Sequence, residues 1–350
     1  MYQSLSINHL RGIRELTLKP LQRISLITGR NGCGKTTILE AMFLIVGHHN
    51  PQIPFSVGGW RGMLEESAEE TVSWLFGSKE TAAPIEISVE REGISFALSV
   101  TFLSPEQMKD EKIYLVDPVS GEQSTTEIGQ VPGIKMILKK GDVALSESGL
   151  ILLRDGPAIG ASAPQLGYAS FINAFTTTTK DNPKRFSRCR ERGQVEKIIE
   201  SLQIIEKRLT NLVIHVSTSG KTGIYADVQG SLIPMPLLGQ GASRLLSIVL
   251  AIFDAENGVV LVDEIENGFH HSAIEKIWEA IDAASKGANV QVMATTHSLE
   301  CIDAAHRHFE KSGNYDFGLH RLDASNGLIK DVVYREEILE AAISGGIEVR

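Results

Sequence analysis

The feature that most constrains the fold of this chain is a glycine-rich turn between a predicted strand and a predicted helix. The turn reads Gly29-Arg30-Asn31-Gly32-Cys33-Gly34-Lys35-Thr36 and matches the pattern G-x-x-x-x-G-K-[ST]. It follows the apolar residues 24–28 and precedes residues 36–46, where apolar side chains recur at helical spacing. The alternative is a chance glycine turn, which the flanking elements disfavour. The sequence therefore predicts that an α/β fold begins here.

The residue types in this turn suit a nucleotide phosphate chain. Glycines let backbone N–H groups surround phosphate oxygens, and the start of the following helix adds a favourable electric field. Lys35 would reach the outer phosphates, and the Thr36 hydroxyl would ligate Mg²⁺. We expect contacts to ATP from the whole turn, namely Gly29, Arg30, Asn31, Gly32, Cys33, Gly34, Lys35, Thr36 and Thr37.

A second pattern places two carboxylates at the end of a buried strand. Residues 259–262 are all apolar and are followed by Asp263 and Glu264. The carboxyl ends of parallel strands form the edge where α/β sheets bind ligands. Asp263 would then hold Mg²⁺, and Glu264 would polarise the attacking water. The alternative for this pair is a solvated strand end.

A third strand, predicted over residues 290–295, ends shortly before His297. A histidine at the end of a strand beside the phosphate chain can hydrogen-bond the terminal phosphate and sense its loss. The alternative is a histidine with a structural role. The other histidines show no metal-ligand spacing such as H-E-x-x-H, so the sequence predicts no zinc site.

A second glycine turn, containing Gly239, Gln240 and Gly241, precedes a predicted helix that begins at Ala242. Its form suits a second anion-binding helix start. The phosphate loop of the same subunit already encloses one nucleotide, so we expect this turn to cap the ATP of a partner subunit in a dimer. The alternative is a loop that only packs against its own helix.

The remaining sequence indicates a mixed organisation. We expect a meander of three strands over residues 3–28, strand-like pieces at residues 85–89, 94–102 and 134–138, and a hairpin at Glu92-Gly93. Residues 193–209 read as the one convincing helix of the middle region. From residue 237 onward, alternating strands and helices predict a largely parallel sheet, followed by a hairpin over residues 318–334 that turns at Asn326-Gly327 and a helix from Arg335.

Composition narrows the class of protein. The chain has 350 residues, 42% of them hydrophobic, and a net charge of −9, which is ordinary for a globular protein and argues against a histone-like coat on nucleic acid. Its longest apolar run, residues 248–253, is far shorter than a membrane span. Three scattered cysteines match neither a disulfide framework nor a zinc site. We expect a cytoplasmic protein with no membrane partner.

The order of these motifs resembles the ABC-type ATPase heads of the SMC, RecF and OLD group, and in particular their compact stand-alone bacterial relatives. The stretches that carry the resemblance are residues 10–13, 31–41 and 263–270. The resemblance implies an α/β ABC-ATPase head, that is, a P-loop NTPase with a mixed sheet flanked by helices. Residues 1–48 and 193–350 would form this head, and residues 49–192 would be an inserted β-rich lobe with a basic loop.

The resemblance also implies roles for individual residues. ATP would lie between two heads, with Lys35, Thr36 and Asp263 on one side and the turn at residues 239–241 on the other. Glu264 would be the catalytic base, His297 the switch, and residues 266–270 the segment that crosses the dimer. Arg11 would be a candidate contact to the phosphates.

Two departures from the family pattern stand out. Gly239 occupies the place of the signature serine, so only backbone N–H groups remain there to contact the opposite phosphate. The usual glutamine that follows the next strand cannot be assigned: after a predicted strand at residues 168–175 come four threonines, residues 176–179, and neither Asn173 nor Gln165 fits.

Six cations fall within residues 180–192, which makes this segment the best candidate for a contact to the DNA backbone or to an acidic partner. The alternative is a solvated loop before a helix. Trp60-Arg61 lies where SMC-like heads use an arginine loop, although one such pair is weak evidence.

Together these observations predict an Mg-ATP-hydrolysing homodimer or higher homo-oligomer. OLD nucleases carry a nuclease domain after the ATPase, for which residues 298–350 leave little room, so we expect a separately encoded effector such as a nuclease, or a DNA transaction, in a setting such as defence against phage. The alternatives are a slow or non-hydrolysing ATP-locked scaffold or sensor, and a RecF-like DNA-repair ATPase. A transporter ATPase fits the insertion and the tail poorly.

Overall fold

The computed structural model describes residues 1–61, 66–108, 115–116, 123–124, 131–153, 156–159, 165–174, 180–325 and 327–350. The strands are β1 Tyr2–Leu10, β2 Ile13–Leu18, β3 Ile24–Gly29, β4 Ile85–Arg91, β5 Ile94–Leu103, β6 Leu115–Val116, β7 Gln123–Ser124, β8 Gly133–Lys140, β9 Val143–Leu153, β10 Gly156–Ile159, β11 Ala169–Ile172, β12 Leu209–Val216, β13 Thr222–Val228, β14 Ser231–Pro234, β15 Val259–Val262, β16 Gln291–Thr295, β17 Phe317–Ser325 and β18 Leu328–Tyr334.

The helices are α1 Lys35–Val46, α2 Ile53–Gly59, α3 Ala68–Ser73, α4 Pro105–Met108, α5 Asn182–Glu191, α6 Val195–Gln203, α7 Gln240–Asp254, α8 Ile274–Ala288, α9 Leu299–Lys311 and α10 Glu336–Ser344, with short 3₁₀ turns at Gly77–Lys79, Met235–Leu238 and His271–Ala273. No helix in the described part of the chain has the length and apolar character needed to cross a membrane.

A six-stranded sheet in the order β11-β15-β16-β3-β17-β18 forms the centre of the molecule. The first four pairings along it are parallel, and only the β17–β18 hairpin is antiparallel. This confirms the prediction of a largely parallel sheet. Because β3, β15 and β16 run parallel to one another, their carboxyl ends lie at the same edge of the sheet. The predicted site residues come directly after these ends.

A second, seven-stranded antiparallel sheet has the order β10-β9-β8-β5-β4-β1-β2. It corrects the predicted meander: β1 and β2 pair with each other, but β3 leaves them and pairs with β16 and β17 in the other sheet. Every residue of β3 is buried, and a strand buried on both faces fits a central parallel position better than an antiparallel edge. The Glu92-Gly93 hairpin is confirmed between β4 and β5, with both residues at positive φ.

Two hydrophobic cores cover the two faces of the six-stranded sheet. Leu26, Val260 and Val292 belong to the core that includes α7, α8 and α9. Ile27, Leu261 and Met293 belong to the core that contains α1 and the seven-stranded sheet. Alternate residues of each strand thus point to opposite cores, and α1 lies between the two sheets. The strands of residues 85–153 continue the sheet of β1, and the proposed boundary of the insertion stays a prediction.

The predicted helix over residues 193–209 is wrong at its carboxyl end. Helix α6 stops at Gln203, a turn follows in which Glu206 N–H donates to the Leu202 carbonyl, and Leu209 begins β12. The apolar side chain of Leu209 is buried, but it belongs to a strand and not to the apolar stripe of the helix. The predicted basic loop is also wrong, because residues 182–191 form helix α5. Asn326, the first residue of the proposed Asn326-Gly327 turn, lies outside the described residues. So do residues 175–179, which comprise the end of the strand predicted at residues 168–175 and the four threonines that follow it.

Candidate nucleotide-binding site

The phosphate loop joins β3 to α1 at the carboxyl edge of the six-stranded sheet. Gly29, Gly32 and Gly34 have φ values of 136°, 75° and 95°, which side-chain-bearing residues rarely adopt. A Cβ on Gly29 would also lie 2.7 Å from the carbonyl oxygen of Leu322. The glycines therefore let the loop turn tightly between its neighbours and enter α1 at Lys35.

Lys35, the first residue of α1, is a buried cation. Only 6% of the residue is exposed, and Nζ donates to the carbonyl oxygens of Gly29 at 2.6 Å and Arg30 at 3.0 Å. Among the described residues, no carboxylate lies within ion-pair distance of it. Burial lowers the pKa of Lys35, and the negative potential of Asp263 and Glu264 only partly opposes this effect. An anion bound in the loop would relieve this burial cost.

Thr36 and Asp263 bring two oxygen ligands together at the start of α1. The Thr36 hydroxyl lies 3.1 and 3.2 Å from the two carboxylate oxygens of Asp263. The Thr295 hydroxyl donates to the same carboxylate at 2.7 Å and fixes its orientation. A hydroxyl and a carboxylate are the hard oxygen donors that Mg²⁺ prefers. This pair therefore fits the metal that the sequence predicts.

Glu264 occupies the position directly after Asp263 with φ at 48°, in the left-handed region. Its N–H donates to the Thr295 hydroxyl at 2.8 Å, and its Oε1 lies 3.7 Å from His297 Nε2. Both side chains are about one-third exposed, at 34% for Glu264 and 37% for His297. Glu264, His297, Lys35 and Thr36 all line one cavity of about 450 Å³. The structure therefore brings together the base, switch, lysine and metal-ligand candidates.

Arg61 lines the same cavity and comes from the segment after α2. Its Nε donates to Glu40 Oε1 at 2.8 Å, and Arg11 Nε donates to the other oxygen of Glu40 at 2.9 Å. The Glu40 side chain is only 1% exposed. The sequence resemblance implies that Arg11 contacts phosphate and that Trp60-Arg61 corresponds to an arginine loop, whereas no local pattern identifies Glu40, which joins Arg11 and Arg61. The role of Arg11 toward phosphate stays a prediction.

Arg244, for which no sequence motif predicts a role, connects the end of β15 to α7. It is 1% exposed, and its guanidinium donates to the carbonyl oxygens of Asp263 at 2.7 Å, Glu264 at 3.1 Å and Asn173 at 3.0 Å. Burial lowers the pKa of Arg244. An arginine inside an otherwise apolar helix stripe was the available signal, since such a buried charge needs fixed partners.

The second glycine turn starts α7 two residues earlier than predicted, at Gln240. Gly239 has φ 106° and ψ 161°, a conformation open essentially to glycine alone. Gly239 and Gln240 are exposed, whereas Gly241 packs closely, since a Cβ there would lie 3.1 Å from the Gly268 carbonyl oxygen. The turn therefore presents an exposed helix start on one side and contacts the segment after Glu264 on the other.

The basic segment of residues 180–192 is used partly inside the molecule. Arg188 makes two hydrogen bonds to the Asp254 carboxylate, at 2.7 and 2.6 Å, and Arg192 donates to the Asp254 carbonyl oxygen at 3.2 Å. Arg185 is buried and donates to the Ser170 hydroxyl at 2.9 Å. The exposed cations that remain for an external phosphate backbone are Lys180, Lys184 and Arg190.

Comparison with known proteins agrees with this geometry. A family model described as an AAA domain matches residues 4–214. A second, whose description names an AAA domain and the AbiEii toxin of a type IV toxin–antitoxin system, matches residues 170–303. An ATP/GTP phosphatase of Helicobacter pylori is 22% identical over 87% of each chain. The DNA replication and repair protein RecF of Idiomarina loihiensis is 38% identical over 18% of this chain and 17% of its own length.

Among solved structures, the SMC head domain from Thermotoga maritima has a TM-score of 0.48 and 13% identity and covers 95% of this chain and 99% of its own. An Smc head domain bound to the C-terminal domain of ScpA, derived from Pyrococcus furiosus, has a TM-score of 0.49 and 12% identity over 98% of both chains. Since the AAA-domain model covers more than half of the sequence and includes the phosphate loop, the chain belongs to this AAA-domain family of P-loop ATPases.

Proposed function

We propose that this ATPase binds Mg-ATP at the phosphate loop and hydrolyses it as a head-to-head homodimer. The observation that carries the proposal is the shared cavity, which Lys35, Thr36 and Glu264 all line. The relation to an ATP/GTP phosphatase over most of both chains supports turnover of a nucleoside triphosphate.

Each residue has a role that follows from its position. Lys35 and the loop N–H groups bind the β- and γ-phosphates, while Thr36 and Asp263 hold Mg²⁺. When bound, Mg²⁺ neutralises part of the phosphate charge. Glu264 accepts a proton from the attacking water, and His297 donates to the terminal phosphate. Arg61, on the same cavity wall, supplies a further positive charge.

The dimer is proposed from the second glycine turn. Residues 239 and 240 are exposed at the start of the 15-residue helix α7, and helix starts bind anions through their backbone N–H groups. In the proposed dimer each turn caps the nucleotide of the partner subunit. Gly239 offers no hydroxyl, so backbone donors alone would make this contact, which favours a weak dimer and keeps a slow, ATP-locked scaffold or sensor as the second candidate function.

The output of the cycle is proposed to act on a separately encoded effector or on DNA. The toxin–antitoxin system named by the second family model favours a defence setting with a partner protein. The RecF relative favours the alternative of DNA repair, for which Lys180, Lys184 and Arg190 would contact the backbone. Replacing these three with Glu should remove salt-sensitive retention of duplex DNA, and unchanged retention would contradict a DNA role for this surface.

The central test uses purified wild type and Glu264→Gln with Mg-ATP and Mg-GTP. Wild type should release phosphate with a rate per subunit that rises with protein concentration. Glu264→Gln should lose about 100-fold or more of this rate because it lacks the base, and it should accumulate ATP-dependent dimers in sedimentation experiments. Wild type that binds Mg-ATP and dimerises without releasing phosphate would support the scaffold instead. Absence of Mg-ATP binding by calorimetry would contradict both functions.

A further inference from the structure

We infer that Glu266 and Asn267, neighbours in the turn after β15, are positioning residues that hold Glu264 and His297 in their reactive arrangement. The inference rests on the proposed function, because it concerns the base and the switch of that reaction. Neither residue needs to touch the nucleotide for this role. Their side chains instead reach the two groups that line the cavity.

Asn267 fixes the carboxylate of Glu264. Its amide Nδ2 donates to Glu264 Oε2 at 2.6 Å and lies 3.4 Å from the carbonyl oxygen of Ala174. The other carboxylate oxygen, Oε1, is left on the side of His297, 3.7 Å from its Nε2. A one-third-exposed glutamate would otherwise sample several rotamers. With one oxygen bound, the other is directed toward the place where a water would react.

Glu266 holds the backbone of His297. Its Oε1 accepts a hydrogen bond from the His297 N–H at 2.8 Å, and its Oε2 is buried without a hydrogen-bond partner among the described residues. The electrostatic field of Glu266 also reaches Lys35 and Arg244. This hydrogen bond connects the turn after β15 to the turn after β16, and it therefore keeps His297 at a fixed distance from Glu264.

The fold of the turn itself depends on backbone contacts rather than on these two side chains. Asn267 N–H donates to the Glu264 carbonyl at 3.0 Å, Phe269 N–H to the Glu266 carbonyl at 3.1 Å, and Ile265 N–H to the Thr295 carbonyl at 3.0 Å. The close approach of Gly241 to the Gly268 carbonyl adds a further backbone contact. Side-chain variants at positions 266 and 267 should therefore leave the turn in place while releasing the residues that it orients.

The test measures steady-state ATP hydrolysis by the full chain carrying Asn267→Ala, Glu266→Ala or Glu266→Gln. Asn267→Ala should lower kcat about 30- to 100-fold and leave KM within about threefold, because the base is misdirected while phosphate binding is kept. Glu266→Ala should lower kcat about tenfold, and Glu266→Gln, which keeps an acceptor oxygen for the His297 N–H, should recover most of that loss. Asn314→Ala is the matched control, since that exposed amide donates to the Asp316 carboxylate at 2.9 Å outside the cavity.

A double variant completes the test. If Asn267 acts through Glu264, the variant carrying both Asn267→Ala and Glu264→Gln should be no slower than Glu264→Gln alone. Wild-type kcat in Asn267→Ala with a folded protein, or additive losses in the double variant, would overturn the inference and leave the proposed function intact. A wild type that releases no phosphate would overturn both. Thermal melts of every variant identify loss of folding, in which case Asn267→Ser and Glu266→Gln carry the same comparison.

Discussion

Lys35 and Arg188 are two hydrogen-bonded cations that differ in exposure and in their partners: Lys35 is 6% exposed, whereas the Arg188 side chain is 43% exposed. Arg188 forms a bidentate pair with Asp254, whose side chain is 1% exposed. That hydrogen-bonded pair raises the pKa of Arg188 despite the opposing cost of burial. In the part of the chain that the structure describes, the oxygen partners of Lys35 are the carbonyl groups of Gly29 and Arg30, and burial lowers its pKa.

This difference distinguishes an ion pair that stabilises the fold from a lysine in a candidate binding site. The charge of Arg188 is neutralised inside the protein, and so the pair joins α5 to the end of α7 without any ligand. Lys35 lies in a glycine loop and lines a cavity, and no carboxylate among the described residues forms an ion pair with it, so an anion bound there would compensate its charge. Removing the charge of Arg188 or of its partner should therefore cost folding stability, and removing the charge of Lys35 should cost ligand affinity.

The largest effect is expected from Lys35→Met, which keeps most of the buried aliphatic stem and removes the ammonium. Affinity for Mg-ATP should fall about 100-fold, because a charge-assisted hydrogen bond of about 3 kcal/mol is lost. The melting temperature should change little, since the variant also removes a desolvated charge. Titration calorimetry and thermal melts measure the two quantities.

Lys180→Met serves as the control for Lys35→Met, because Lys180 is exposed and should affect neither quantity. A Lys35→Met protein that retains wild-type affinity would break the comparison at its first step. A melting temperature lowered by about 10 °C or more would do so as well, because it would show that Lys35 stabilises the fold.

The converse prediction concerns Asp254→Asn. Its carboxylate accepts hydrogen bonds from Arg188 and from the Tyr168 hydroxyl at 2.9 Å. Losing the charge should destabilise the fold by about 2–3 kcal/mol, with Mg-ATP affinity unchanged. Asp303→Asn, in an exposed pair with Arg307, is the control and should cost less than about 0.5 kcal/mol. Denaturant unfolding measures both.

The same pair predicts a dependence on pH. Although burial alone would raise the pKa of Asp254, hydrogen bonds from Arg188 and Tyr168 outweigh it, and the pKa lies below the ordinary value of 3.8. A lowered carboxyl pKa stabilises the folded state above the unfolded value, and this stabilisation is lost as pH falls through the folded value. Wild type should therefore lose more stability than Asp254→Asn below about pH 4. Parallel acid-unfolding curves would contradict this assignment.

The sequence predicted those parts of the site whose signal is local. The phosphate loop lies between β3 and α1 as expected, and β15 spans residues 259–262 as predicted, because a run of apolar residues ending in two carboxylates has few other interpretations. The glycine turn at 239–241 was also found, although its helix begins two residues earlier.

The partners that are distant in sequence could not be predicted. Glu40 joins Arg11 and Arg61, Arg244 reaches the carbonyl groups after β15, and Asp254 neutralises Arg188, in each case across a separation that no local pattern encodes. The prediction that β3 forms a meander with β1 and β2 was wrong for the same reason. Counting charges likewise overestimated how many cations of residues 180–192 are available to an external partner, because composition does not show which arginines are already paired.

The smallest effect, and the one that extends the comparison to an exposed surface, is expected from Gln240→Glu. Gln240 is exposed at the first position of α7, and an acidic residue at a helix start slightly favours the helix. Within one subunit the substitution should therefore change neither stability nor Mg-ATP affinity. Facing a partner's phosphates, it should oppose ATP-driven dimerisation by about 1.4 kcal/mol, which is about tenfold in the dimer constant.

Sedimentation in the Glu264→Gln background measures this constant, with Gln229→Glu in the exposed β13–β14 turn as the control. Weaker Mg-ATP binding at concentrations too low for dimers would place the turn beside its own nucleotide, and an unchanged dimer constant would remove the turn from the proposed interface.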